Sequence, residues 1–170
     1  MKKIMMMAAV AIATIATNAA TVKWNGSGIY DVDGNKAGSA YTAYLFVSSD
    51  TTGAFTVKSV DDAIAGLAKK DFSDNAGSKT LASGAIAPQT VSNVGTGAFD
   101  AYLIVVNADV SKYLVVSPKT MTVASPTSTY TAAWTNVNNS KTDWQSVPEP
   151  TSGMLLLLGV AGLALRRRRA

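Results

Sequence analysis

The chain has 170 residues, which is enough for one domain of ordinary size and too few for two domains with separate cores. It contains no Cys and no His, which excludes disulfides, thiolate nucleophiles, Cys/His zinc sites and catalytic triads with an imidazole base. The net charge is +4, but two Lys at positions 2 and 3 and four Arg at 166–169 leave residues 4–165 with nine Lys against eleven acidic residues. A nucleic-acid-binding surface needs basic residues spread over a folded face, so we expect no nucleic-acid partner.

The N-terminus has the three regions of a secretory signal peptide. A basic leader is followed by an uncharged apolar stretch at 4–15 and by small residues at 16–20, in the order that signal peptidase recognises. The 12 apolar residues are too few to cross roughly 30 Å of hydrocarbon. We predict that residues 1–19 are a signal peptide cleaved after Ala19, with cleavage after Ala20 as the less favoured alternative.

The body of the chain, residues 20–135, is rich in the β-branched and turn-forming residues of a β domain. Strands are predicted wherever apolar residues run or alternate between turn residues, with Pro118 and Pro126 as breaks: 41–48, 101–106, 112–117, 120–124 and 130–134. This spacing predicts an all-β fold, a single antiparallel β-sandwich or meander-type domain. The polar segment 136–146 is predicted to be a linker.

One short helix is expected to interrupt the strands. Ser59 can cap its first turn, with Asp62 three residues later, and Val60, Ile64 and Leu67 would form its apolar face. Two Lys at positions 69 and 70 would close its C-terminal end.

No catalytic, cofactor-binding or metal site is predicted. Residues 31–35 carry Asp at two positions as a calcium loop does, but Lys36 and Thr42 stand where an EF-hand needs Gly and Glu, so we interpret the segment as a hairpin turn. The Gly pairs at 26/28 and 95/97 are also interpreted as turns.

The three Trp residues allow two interpretations. They could stack on sugar rings, or Trp24 and Trp134 could pack in the core while Trp144 lies near a membrane interface. Aromatic residues are usually placed by burial, which favours the second interpretation.

The C-terminal tail, residues 147–170, combines three features in series. Pro148, Glu149 and Pro150 form an extended Pro-Glu-Pro segment, because proline prevents regular structure there. An apolar run follows at 154–165, and the tail ends with a basic stop-transfer cluster of Arg166, Arg167, Arg168 and Arg169. Residues 151–165 give a helix of about 22 Å, to which snorkelling of the first Arg would add reach. The alternative, an interfacial helix, needs a charged face that this run lacks.

This arrangement resembles the PEP-CTERM sorting domain of Gram-negative bacteria, over residues 147–170 only. The resemblance implies recognition of the Pro-Glu-Pro motif by exosortase, an integral-membrane cysteine transpeptidase. It also implies transient anchoring in the inner membrane by a C-terminal membrane helix, followed by delivery to the cell surface or extracellular matrix.

The leading functional hypothesis is therefore an exported surface or matrix protein without catalytic activity, with signal peptidase and exosortase as its processing partners. The alternative is a carbohydrate- or exopolysaccharide-binding module on the same sorting tail. An enzyme is the third hypothesis, because the usual catalytic side chains are missing.

Overall fold

Alternating apolar residues and short turns build eight strands and one α-helix in the part of the chain that the computed structural model describes, residues 19–149. The strands are β1 (Ala20–Gly26), β2 (Tyr41–Asp50), β3 (Gly77–Thr80), β4 (Ile86–Val94), β5 (Gly97–Asn107), β6 (Lys112–Val123), β7 (Thr129–Trp134) and β8 (Gln145–Ser146). Helix α1 (Val60–Leu67) lies between β2 and β3, and a 3₁₀ turn (Lys141–Asp143) precedes β8.

The strands form two sheets. One has three strands in the order β4-β1-β7, and the other has five in the order β3-β2-β5-β6-β8. The prediction of an all-β domain with one short helix is confirmed. Most neighbouring pairs are antiparallel, as predicted, but β7 pairs with β1 in parallel. The prediction that the meander continues from β6 to β7 is wrong, because β7 belongs to the opposite sheet.

Both faces of the five-stranded sheet are covered. Side chains from the two sheets share one apolar core, to which β2 and β5 contribute Leu45, Val47, Leu103 and Val105. The alternate residues of β2 and β5 point to the other face of the sheet and pack with α1 in a second cluster. Its members include Phe46, Tyr102, Ile104 and Val106 from these strands and Ala63 and Leu67 from the helix. The apolar residues on both faces of these two strands are explained by their position between two layers.

Strand β6 continues through Pro118, where the sequence predicted a break. Ser117 and Pro118 together stand opposite Tyr102, since Leu103 pairs with Val116 and Ala101 with Lys119. This bulge accommodates the missing N–H of proline and shifts the strand by one residue. The shift keeps the apolar residues of both halves of β6 on the core face: Leu114 and Val116 before it, Met121 and Val123 after it.

Helix α1 begins as predicted. The Ser59 hydroxyl accepts a hydrogen bond from the Asp62 N–H at 3.1 Å, and the Asp62 carboxylate accepts one from that hydroxyl at 2.6 Å. Leu67 is buried, while Val60 and Ile64 are half-buried against the second cluster. The helix ends at Leu67, so the two Lys at 69 and 70 lie in the turn beyond it rather than in its last turn.

Residues 136–146 do not form the predicted linker. Asn139 is buried, and its side-chain amide exchanges two hydrogen bonds of 2.8 Å with the backbone N–H and C=O of Tyr30. The backbone N–H groups of Val137 and Asn138 donate to the loop after β1, and β8 pairs with β6. The segment belongs to the domain. Its polar residues are compatible with this because hydrogen bonds dock it on the rest of the fold.

Within residues 19–149, no helix is long and apolar enough to cross a membrane. Residues 1–18 of the predicted signal peptide and residues 150–170 of the tail, which include the predicted membrane helix, lie outside the described residues.

Candidate functional site

The polypeptide leaves the domain through β8, the short edge strand of the five-stranded sheet. Gln145 pairs with Tyr113 and Ser146 with Lys112, at the first two residues of β6. Their side chains add two contacts: the Tyr113 hydroxyl donates to Gln145 Oε1 at 2.6 Å, and Lys112 Nζ donates to Ser146 Oγ at 2.8 Å. Burial raises the pKa of the Tyr113 hydroxyl. Strand β8 could not be predicted from the sequence, because two residues are too few to show alternation.

Among residues 19–149, the last hydrogen bond from the chain to the domain is made by the residue before the Pro-Glu-Pro segment. The Val147 N–H donates to the carbonyl oxygen of Ser111 at 2.9 Å, and the Val147 side chain is half-buried against the second cluster. Pro148 has no N–H with which to continue the pairing, and both Pro148 and Glu149 are exposed. The predicted recognition motif therefore begins directly after a residue that is hydrogen-bonded to the domain. Pro150 and the four Arg at 166–169 lie outside the described residues.

The loop before β6 holds the Ser111 carbonyl in place. Asn107 Oδ1 accepts hydrogen bonds from the N–H groups of Ser111 and Lys112 at 3.0 and 2.9 Å. Asp109 Oδ1 accepts from the Ser111 hydroxyl at 2.9 Å, and the hydrogen bonds from the Ser111 hydroxyl and N–H lower the pKa of Asp109. The docking point of Val147 is thus fixed by three side chains of one short loop.

At the other end of the domain, the predicted signal cleavage point lies at the start of β1. Ala20 is buried, begins β1 and pairs with Val94. Ala19, the residue before it, is half-buried. Cleavage after Ala19 would leave β1 whole, and it stays a prediction.

The segment that resembled a calcium loop is a turn. The Asp31 carboxylate accepts hydrogen bonds from the N–H groups of Asp33 and Asn35 at 2.9 and 2.8 Å, and Gly34 has a φ of 81°. Tyr30 and Lys36 form an antiparallel bridge across it, which confirms the interpretation as a hairpin turn. Among residues 19–149, no three metal-ligating side chains lie together.

All three Trp side chains are buried in the domain. Trp24 lies fully inside the core, and Trp134 Nε1 donates to the Ser117 carbonyl at 3.1 Å, which confirms their core positions. Trp144 was predicted near a membrane interface, which is wrong: its ring packs edge-on against Tyr41, with centroids 5.2 Å apart, and its Nε1 donates to the Tyr30 carbonyl at 3.0 Å. Trp134 and Trp144 are only 5% and 8% exposed, so these rings offer little surface for stacking on sugars.

An open groove of about 680 Å³ lies between the bulge of β6 and the segment that follows β7. Its lining includes hydroxyl and amide side chains, among them Ser117, Asn138, Thr142 and Gln145. Such side chains can both donate and accept hydrogen bonds. This groove could not be predicted from the sequence, because only the fold brings its walls, residues 114–119 and 134–145, together.

The tail matches a known family of sorting motifs. Residues 146–169 match the family model of the PEP-CTERM protein-sorting motif. No curated protein matches the chain. Among solved structures, the chain is similar to the Gamma-CGTase from Alkalophilic bacillus clarkii with 12% identity and a TM-score of 0.41, over 68% of this chain and 14% of that one. At these values the likeness carries no argument about fold or function.

The match includes the last residues of the described structure. Ser146 and Val147 are docked on β6 and its preceding loop, while Pro148 and Glu149 are exposed. The Pro-Glu-Pro segment, the apolar run and the Arg cluster all lie within the matched residues. The C-terminal tail of this chain is a PEP-CTERM protein-sorting motif, which implies export and processing by exosortase.

Proposed function

We propose that this chain is a surface or extracellular-matrix protein without catalytic activity, delivered by exosortase through its tail. In this proposal the β domain is the part that is exported, and the tail is the sorting signal. The tail anchors the precursor in the inner membrane of a Gram-negative-type envelope until exosortase acts on the Pro-Glu-Pro motif.

The observation that carries this proposal is the position of the motif relative to the fold. Glu149 is the only Glu in the chain, is exposed, and lies between two prolines. It follows directly after the residue that makes the last described contact with the sheet. An exposed carboxylate next to backbone that cannot pair is well placed for recognition by another protein.

Glu149→Ala tests the sorting role. In a host with exosortase, we expect the full-length precursor of this variant to accumulate in the membrane fraction, as seen by immunoblotting and intact mass. Lys23→Ala, an exposed substitution on β1, is the control and should mature like the wild type. If the Glu149 variant is processed and localised like the wild type, the motif is only a stiff linker and the proposal is wrong.

Replacing the four Arg at 166–169 with Ser should fail in a different way. Loss of the stop-transfer signal should let precursor pass through the membrane, so that it appears in soluble fractions without C-terminal processing. Retention of this variant in the membrane would contradict the assigned role of the cluster.

Terminal sequencing tests the other end of the chain. The exported protein should begin at Ala20, or at Thr21 if signal peptidase cuts one residue later. An intact Met1 on the mature protein would exclude the signal peptide.

The alternative function, exopolysaccharide binding, is supported by the groove beside β6. Its hydroxyl and amide side chains suit a polyhydroxylated ligand. A fragment of residues 20–149 should then bind polysaccharide from the native host in calorimetry, and the double variant Ser117→Ala/Thr142→Ala should bind it more weakly. No heat of binding to that polysaccharide would exclude the alternative.

A further inference from the structure

The folded sheet and the sorting motif overlap in sequence. The match to the motif begins at Ser146, yet Ser146 pairs with Lys112 and the next residue, Val147, donates its N–H to Ser111. Two residues that belong to the motif are therefore also held by the domain. Only Pro148 separates the last docked residue from Glu149.

An enzyme that binds Glu149 within an extended segment also contacts the backbone on both sides of it. On the N-terminal side, the backbone and side chain of Val147 face the domain. With β8 docked, the whole five-stranded sheet stands one residue from the recognised carboxylate. The docked strand thus competes with the enzyme for the same stretch of backbone.

The contacts of β8 suit release. Both of its residues are exposed, they pair with β6 alone, and the pairing covers two residues. The residue before β8 is different, because Trp144 is buried and hydrogen-bonded to the Tyr30 carbonyl. Detachment can therefore run from Val147 back to Gln145 and stop at Trp144. Three freed residues extend the reach of the motif by about 10 Å.

We propose that β8 is a releasable latch, and that exosortase processes the motif only when residues 145–147 have left the edge of the sheet. This inference rests on the proposed function, since it assumes that the motif is the site of exosortase recognition. It adds that the domain itself controls access to the site, through an edge strand that opens locally without unfolding the core.

A disulfide that closes the latch tests the inference in the full chain. Lys112→Cys and Ser146→Cys place two thiols on directly paired residues whose native side chains already touch, in a chain with no other Cys. Processing of a transiently opened site follows the population of its open form. The oxidised precursor should therefore mature at least about tenfold more slowly than the same precursor kept reduced.

A second disulfide provides the matched control. Thr42→Cys and Thr80→Cys pair β2 with β3 at the opposite edge of the same sheet, and this locked precursor should mature like the wild type. Thiol alkylation followed by electrophoresis shows which molecules are cross-linked, and circular dichroism shows that both variants fold.

The outcomes separate the two proposals. If the oxidised latch variant matures as fast as its reduced form while Glu149→Ala blocks maturation, the latch is wrong and the sorting role stands. If Glu149→Ala matures normally, the sorting role fails, and the latch fails with it.

Discussion

The centre of the five-stranded sheet and the C-terminal segment 136–147 belong to one domain but are held by different forces. Strands β2 and β5 are apolar on both faces and lie between the second sheet and the helix. The C-terminal segment is mostly polar and is fixed by Asn139, by one buried ring at Trp144, and by backbone hydrogen bonds.

This difference shows that a polar composition does not reveal whether a segment is docked on the domain. Apolar periodicity reports burial, because each strand repeats its pattern locally. A polar segment that docks through its amide and backbone groups carries no such pattern, and its partners are remote: Asn139 and Tyr30 are 109 residues apart. Polar segments next to a sorting tail can therefore be structural.

Trp144→Ala should give the largest loss of stability in this segment. It removes a buried ring, its edge contact with Tyr41 and the hydrogen bond to Tyr30, so we expect a loss of roughly 3–5 kcal/mol in the free energy of unfolding. Urea denaturation of a fragment of residues 20–149 measures it. Exposed Thr135→Ala is the control and should stay within about 0.5 kcal/mol of the wild type. A loss that small for Trp144→Ala would return the segment to the status of a linker.

Asn139→Ala should give the next largest effect. It leaves the N–H of Tyr30 without a partner in a half-buried place, which costs about 1–3 kcal/mol. The Tyr30 carbonyl loses the bond from Asn139 and keeps the one from Trp144 Nε1. Asn138→Gly is the matched neighbour, because Asn138 is exposed and its φ of 47° suits glycine. Equal melting temperatures for the two variants would show that the amide does not hold the segment.

Strands β2, β5, β6 and β7 and the helix cap could be predicted from the sequence because their signals are local. Residues 41–48 and 101–106 carry uninterrupted apolar runs, and Ser59 precedes Asp62 at the spacing of a helix cap. The parallel pairing of β7 and the bulge at Pro118 could not be predicted, because both depend on which strand lies alongside.

The candidate site likewise has one part that could be predicted from the sequence and one part that could not. The Pro-Glu-Pro motif could be read from the order of its residues, whereas the docking of Val147 depends on the distant Ser111. The buried position of Trp144 likewise follows from contacts with Tyr30 and Tyr41, which nothing in its sequence neighbours indicates.

Ser59→Ala tests the helix cap, which could be predicted from neighbouring residues alone. The variant loses the hydroxyl that accepts from the Asp62 N–H, so it should lose about 1 kcal/mol, as helix caps usually do. Ser59→Thr keeps a hydroxyl that can accept from the Asp62 N–H and donate to the Asp62 carboxylate, and it should recover most of the loss. If the threonine variant is as unstable as the alanine variant, packing of α1 on the sheet, rather than its cap, determines the stability of the helix.

Glu149→Ala should have the smallest effect on stability, and this tests whether the folded domain ends before the sorting motif. Glu149 is exposed and stands two residues beyond Val147, the last residue docked on the sheet. We expect its free energy of unfolding, measured on the fragment of residues 20–149, to lie within about 0.5 kcal/mol of the wild type. Val147→Ala is the matched comparison, because its side chain is half-buried against the second cluster, and it should be measurably less stable. If Glu149→Ala destabilised the fragment as much as Val147→Ala, the carboxylate would be part of the fold, and a block of maturation in that variant would no longer identify it as a recognised residue.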